Sequence, residues 1–159
     1  LHLLSRRQRQ MCIRDRHSAA HLLLAGLRKV LGEHVHQKGS NITSERLRFD
    51  FNHDEKLTPE QIAQVEKYVN DAISSKAVTY ISEMPKNEAK ESGVEGNFWD
   101  KYPDIVKVYT MKDSRGNVWS REVCGGPHVN NTAKLGRFRI IKEQSSSAGV
   151  RRIKGVLSK

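Results

Sequence analysis

The chain has 159 residues, 36% of them hydrophobic, and its 28 Lys and Arg outnumber its 18 Asp and Glu to leave a net charge of +10. That length carries one core, or one core and a tail, but not two independent cores. Two cysteines and no apolar run of bilayer-crossing length speak against secretion, a disulfide scaffold or a membrane span and point to a reducing cytoplasm, while the basic excess favours a polyanionic partner such as nucleic acid.

Residues 1–16 hold five Arg and one Asp, with neither sustained periodicity nor turn chemistry. They are expected to be a leader, foreign or left from an upstream segment, so Cys12 is no site candidate and the domain proper is expected over 17–159. From 18 to 31, apolar residues at Ala20, Leu23, Leu24, Leu27, Val30 and Leu31 recur at helical spacing, and Gly32 supplies a stop. Residues 36–41 predict a polar loop. Residues 47–51 alternate strictly, which predicts a half-buried strand with Arg46, Arg48 and Asp50 on its other face. Ion pairing is the plain role for those three.

Thr58, Pro59 and Glu60 mark a helix start, and Ile62, Val65, Val69 and Ile73 form its apolar stripe. A strand is predicted at 78–81 and a short helix at 85–91, ended by Gly93, before a Gly-rich and aromatic bend. Residues 105–111 and 118–123 form a hairpin about a turn at 113–117, and that hairpin delivers Cys124. Two further strands, 138–141 and 150–157, are joined through 145–149. The pattern predicts an α+β fold, one mainly antiparallel sheet with helices packed on one face.

Two histidine-containing pairs frame the domain, His17-Ser18-Ala19-Ala20-His21 and Cys124-Gly125-Gly126-Pro127-His128. On a helix the first pair stacks on one face, so both imidazoles can point at a single ion. In the second pair the glycines let the backbone bend and Pro127 fixes φ, so Cys124 and His128 can converge. Three imidazoles and a thiolate suit one tetrahedral Zn²⁺, which would bridge the helix to the hairpin and line a pocket. Ser18 stands where a zinc protease helix carries its general-base Glu, which argues against peptide hydrolysis.

Five segments, in order, resemble the editing domain of alanyl-tRNA synthetase: residues 17–21, Gln37-Lys38-Gly39-Ser40, the strand 46–51, residues 124–128, and Gly149-Val150-Arg151-Arg152-Ile153. The resemblance covers about residues 17–157. It implies hydrolysis of the ester that joins a wrong amino acid, serine or glycine, to alanine tRNA. It also implies that His17, His21, Cys124 and His128 bind zinc and that Gln37 lies in the editing pocket, making Gln37 and Cys124 the catalytic candidates. Ala20 and Pro127 replace threonines common in the family, which bears on pocket polarity and on how serine is sensed. Pro127, Val129, Asn131 and Thr132 are similar to the threonyl-type editing domain, whereas 46–51 and 149–153 are alanyl-type.

There is no room for the adenylate-forming core of the parent ligase, so the chain is expected to be a fragment of a synthetase, with its ATP site elsewhere, or a free-standing deacylase. Ser18, Arg48, Arg151 and Arg152 are candidates for substrate or tRNA contact. Ser18 can instead satisfy a free backbone N–H at the helix start, and the two adjacent arginines must face opposite sides of a strand. Trp99 and Trp119 can stack on the terminal adenine or pack in the core, and His34, His36 and His53 are expected in exposed loops. A non-catalytic tRNA-binding zinc module and a purely structural zinc domain are the readings of other classes.

Overall fold

The structure, a computed structural model, describes residues 4–96 and 99–159. Residues 1–3 of the expected leader, and 97 and 98 of the aromatic bend, lie outside them. No helix among the described residues is long and apolar enough to cross a membrane.

The first helix, α1, runs over Arg6–Leu31 and so begins well before the expected start at 18. Ser5 closes a capping box with Gln8, and Arg, Gln and Met carry good helix propensity, so its first turns need no buried stripe. Residues 5–11 are exposed, and continuous burial begins at Asp15, which pairs with Lys159 at 3.0 Å. Ser18 is therefore a mid-helix residue and not a cap.

The predicted loop at 36–41 is largely a strand, β1 (Gln37–Ile42), antiparallel to β2 (Leu47–Asn52). An edge strand is made by backbone pairing on one side, so it needs no apolar alternation, and the apolar pattern could not reveal it. Helix α2 (Pro59–Ser74) carries the Thr58 capping box with Gln61. Then follow β3 (Val78–Pro85), α3 (Lys86–Glu91), β4 (Ile105–Lys112), β5 (Val118–Val123), β6 (Arg137–Ser147) and β7 (Val150–Ser158). The expected 145–149 linker shrinks to a tight turn at Ala148 and Gly149, whose φ of +72° suits glycine.

The fold is α+β and antiparallel, but it has two sheets where one was expected. One has the order β1-β2-β7-β6 and the other β3-β4-β5. Phe49, Phe51, Phe138 and Ile153 of the larger sheet bury against Leu23, Leu27, Val65 and Val69 of the helices. Val106 and Val108 of β4 instead join Ala89 and Val94 in a small second cluster beneath α3. Separate apolar faces need separate covers, and that divides the strands into two layers.

Candidate metal centre

The 124–128 turn is seated from several sides. Lys107 O accepts from Cys124 N at 3.3 Å, and the buried Ser18 hydroxyl accepts from Val129 N at 2.9 Å while donating to Arg14 O. Asn130 O accepts from Thr79 N, and the Thr132 hydroxyl links Ala77 N to Ala72 O at the end of α2. A segment without regular structure is thus held by groups from α1, α2, β3 and β4.

This seating brings the four expected ligands together. One donor atom each from His17, His21, Cys124 and His128 lie within 4.8 Å of one another. His128 Nε2 is 3.0 Å from His21 Nε2, and Cys124 Sγ is 3.4 Å from His17 Nε2. Donors around a tetrahedral zinc lie roughly 3.3–3.8 Å apart, given its usual bond lengths. Two ring nitrogens carry Nδ1 contacts to turn carbonyls, His17 to Pro127 O at 3.1 Å and His128 to Gly126 O at 2.9 Å. As Nδ1–H donors, these rings turn lone pairs at Nε2 towards the centre, an arrangement that a cation relieves. The donor set therefore fits a soft or borderline divalent ion.

The charge states agree with that. Burial, with Pro127 O opposing it, holds His17 below the usual imidazole value, and burial beside two other imidazoles takes His21 well below it. Burial and His17 hold His128 at about 4. All three rings are neutral at pH 7, as ligation requires. Burial pushes the Cys124 thiol up, as does Glu122, while the N–H groups of Gly126 and Gly125 pull it down. Burial and the neighbouring Glu95 hold the Glu122 carboxyl at about 8.

Sequence reasoning missed two neighbours. Glu122 Oε2 lies 3.2 Å from His21 Nδ1, and the Tyr109 ring stacks on His128 with centroids 4.1 Å apart. Glu122 was detectable, since two residues before Cys124 on a strand is the same face. Tyr109 carried no such signal, because only pairing of β4 with β5 brings it there.

Other expected site residues stay outside the cluster. Gln37 opens β1 and donates to Ser40 Oγ at 3.1 Å, with no described contact to the four ligands. Arg152 grips Asp50 through two bonds of 2.9 and 3.1 Å, with Arg48 3.9 Å from the same carboxylate. Arg151, on the opposite face as expected, pairs with Glu143. Both tryptophans have internal partners: Trp99 meets Tyr102 edge-on, and Trp119 packs against Tyr68 while donating to Asp113. His34 and His53 stack on each other, and exposed His36 lies 3.6 Å from Glu95.

Residues 106–154 match the family described as the threonyl and alanyl tRNA synthetase second additional domain. The chain is 55% identical over 141 residues to an alanine-tRNA ligase of Treponema denticola, covering 89% of this chain and 23% of that protein. It is 54% identical to one of Borrelia hermsii over the same shares, and 47% identical over 147 residues to one of Staphylococcus saprophyticus, covering 92% of this chain and 16% of that one. The chain thus spans under a quarter of the length of these relatives. Ordered motifs, site and similarity agree: the chain belongs to the threonyl and alanyl tRNA synthetase editing-domain superfamily and corresponds to the second-additional-domain region of alanyl-tRNA synthetases.

Proposed function

We propose that this chain is a zinc-dependent deacylase that hydrolyses serine or glycine from mischarged alanine tRNA, as the editing region of an alanine-tRNA ligase. The observation that carries the reading is the convergence of His17, His21, Cys124 and His128 within 4.8 Å in a chain of this family. Its net charge of +10 suits an RNA partner, and such editing takes place where tRNA is charged, in the cytoplasm. Residues 17–159 are the unit to which we assign it.

A bound zinc supplies Lewis acidity to the ester carbonyl or an anchor for the substrate's amino or hydroxyl group. The chain's own residues do the rest. Cys124 and the three imidazoles would hold the ion. Gln37 has a side-chain amide with both donor and acceptor capacity, suited to orienting a water or the aminoacyl group. Ser18 contributes by fixing the turn through Val129 N. Arg48 and Arg152 are assigned to phosphate contact, with their shared partner Asp50 as the orienting group, while Arg151 on the other face pairs with Glu143. Ala20 is buried in the core, where its methyl group packs among apolar side chains.

The test is to incubate the full chain with Ser-tRNA, Gly-tRNA and Ala-tRNA specific for alanine, with and without chelator. Selective cleavage of the wrong esters, lost on chelation and in Cys124→Ala, is the expected result. RNA binding without cleavage would leave a non-catalytic module, and unchanged cleavage by Cys124→Ala would overturn the zinc role.

A further inference from the structure

We infer that Glu122 is a positioning residue for the metal centre, its carboxylate holding the His21 ring in the tautomer and orientation that leave Nε2 to the ion. This rests on the metal reading of the four-donor cluster given above.

Each imidazole ligand must commit one nitrogen to the ion and satisfy the other elsewhere. His17 and His128 do this with carbonyls of the 124–128 turn, so folding of the turn orients both rings. His21 cannot use the turn in that way. It is 4% exposed, and its Nδ1 has no directed hydrogen bond among the described residues. The acceptor beside that atom is Glu122 Oε2, at 3.2 Å but off the line of an N–H bond.

Glu122 is well placed to act as the fixed partner. It lies on β5 opposite Tyr109 of β4, and its backbone is also bridged to Glu95. Val123 N donates to Glu95 O at 2.8 Å, and Glu95 N to Arg121 O at 3.3 Å, so the strand is paired on both sides here. Glu95 in turn is engaged by Arg28 at 3.0 Å. Among the described ion pairs, Glu122 has only His21 as a partner.

Burying an unpaired carboxylate is costly, and a cation nearby would offset that cost. A divalent ion with one thiolate and three neutral imidazoles keeps one positive charge. The Glu122 carboxylate, beside the far nitrogen of His21, would offset it. An Nδ1–H bond to that carboxylate would also strengthen His21 as a ligand.

The experiment compares the full chain with Glu122→Gln and Glu95→Gln, measuring zinc affinity by chelator competition, the absorption spectrum of the cobalt-loaded protein, and thermal stability without metal. Glu122→Gln keeps the shape but loses the charge. It is expected to bind zinc 10–100-fold more weakly, to shift the cobalt bands, and to be at least as stable as wild type when metal-free. Glu95→Gln, which does not touch His21, is expected to leave the cobalt bands in place. Wild-type zinc affinity and an unshifted cobalt spectrum in Glu122→Gln would overturn the inference alone. A loss of metal-free stability matching the loss of affinity would reduce Glu122 to a structural residue and overturn it too. A wild-type chain that takes up no zinc would overturn the metal reading itself.

Discussion

The Ser18 hydroxyl and the Val129 backbone N–H lie 2.9 Å apart, both residues fully buried, and this bond ties the middle of α1 to the end of the turn that carries Cys124 and His128. Removing the hydroxyl strands a buried donor, which costs about 1–3 kcal/mol. Ser18→Ala should therefore lower unfolding free energy by that amount in denaturant titrations and loosen zinc binding as the turn gains freedom. Unchanged values for both would show that the turn is held without it.

Gly126 is the tightest steric point of the centre, because a Cβ there would fall well inside van der Waals contact of the His17 ring. Gly126→Ala must displace that ring or the turn. Zinc affinity should drop on the order of tenfold, as for other disturbances of ligand orientation, while far-ultraviolet circular dichroism stays native. Gly125 has open space at the same position, so Gly125→Ala is the matched control and should bind zinc normally.

The metal-free protein should show a stability maximum in mildly acidic to neutral solution. Glu122 is held at about 8 against an ordinary 4.5, so the fold binds its proton first and gains stability as pH falls from 8. His128 is held at about 4 against 6.5, and His17 and His21 are also lowered, so below 6.5 the unfolded chain takes up protons that the fold refuses. Three imidazoles outweigh one carboxyl there, and stability should fall from 6.5 towards 4. Denaturant unfolding across this range, in chelator, checks the turnover; a monotonic rise on acidification would contradict it.

The β4–β5 turn offers a second pH signal. Desolvation pushes the Asp113 carboxyl up, but bonds from the Trp119 indole, the Asn117 side chain and backbone, and Arg115 N outweigh it and hold it below the usual 3.8. A lowered carboxylate stabilises the fold above its ordinary value and loses that effect as pH falls through the folded value. Asp113→Asn should therefore be less stable than wild type at pH 7, the gap closing below about pH 4. Trp119 fluorescence should follow the same change.

Much of this was legible along the chain. Helices α1 and α2 declared themselves through periodicity and caps, β2, β4 and β5 through alternation, and the four ligands through paired spacing with the right donor chemistry. These are local properties, fixed by residues a few positions apart. The extent of α1 was not legible, because its first turns rest on propensity and a capping box without an apolar face. Nor was β1, whose polar residues are strand only because β2 lies beside them.

Sequence alone determined which residues can bind a metal and that the two pairs must meet if they share one. Tertiary structure decided how they meet: Ser18 pins the turn, Glu122 stands behind His21, Tyr109 stacks on His128, and Arg151 and Arg152 are drawn to Glu143 and Asp50. Each of those partnerships joins residues from different elements. Such contacts depend on packing and register, which a one-dimensional pattern does not encode.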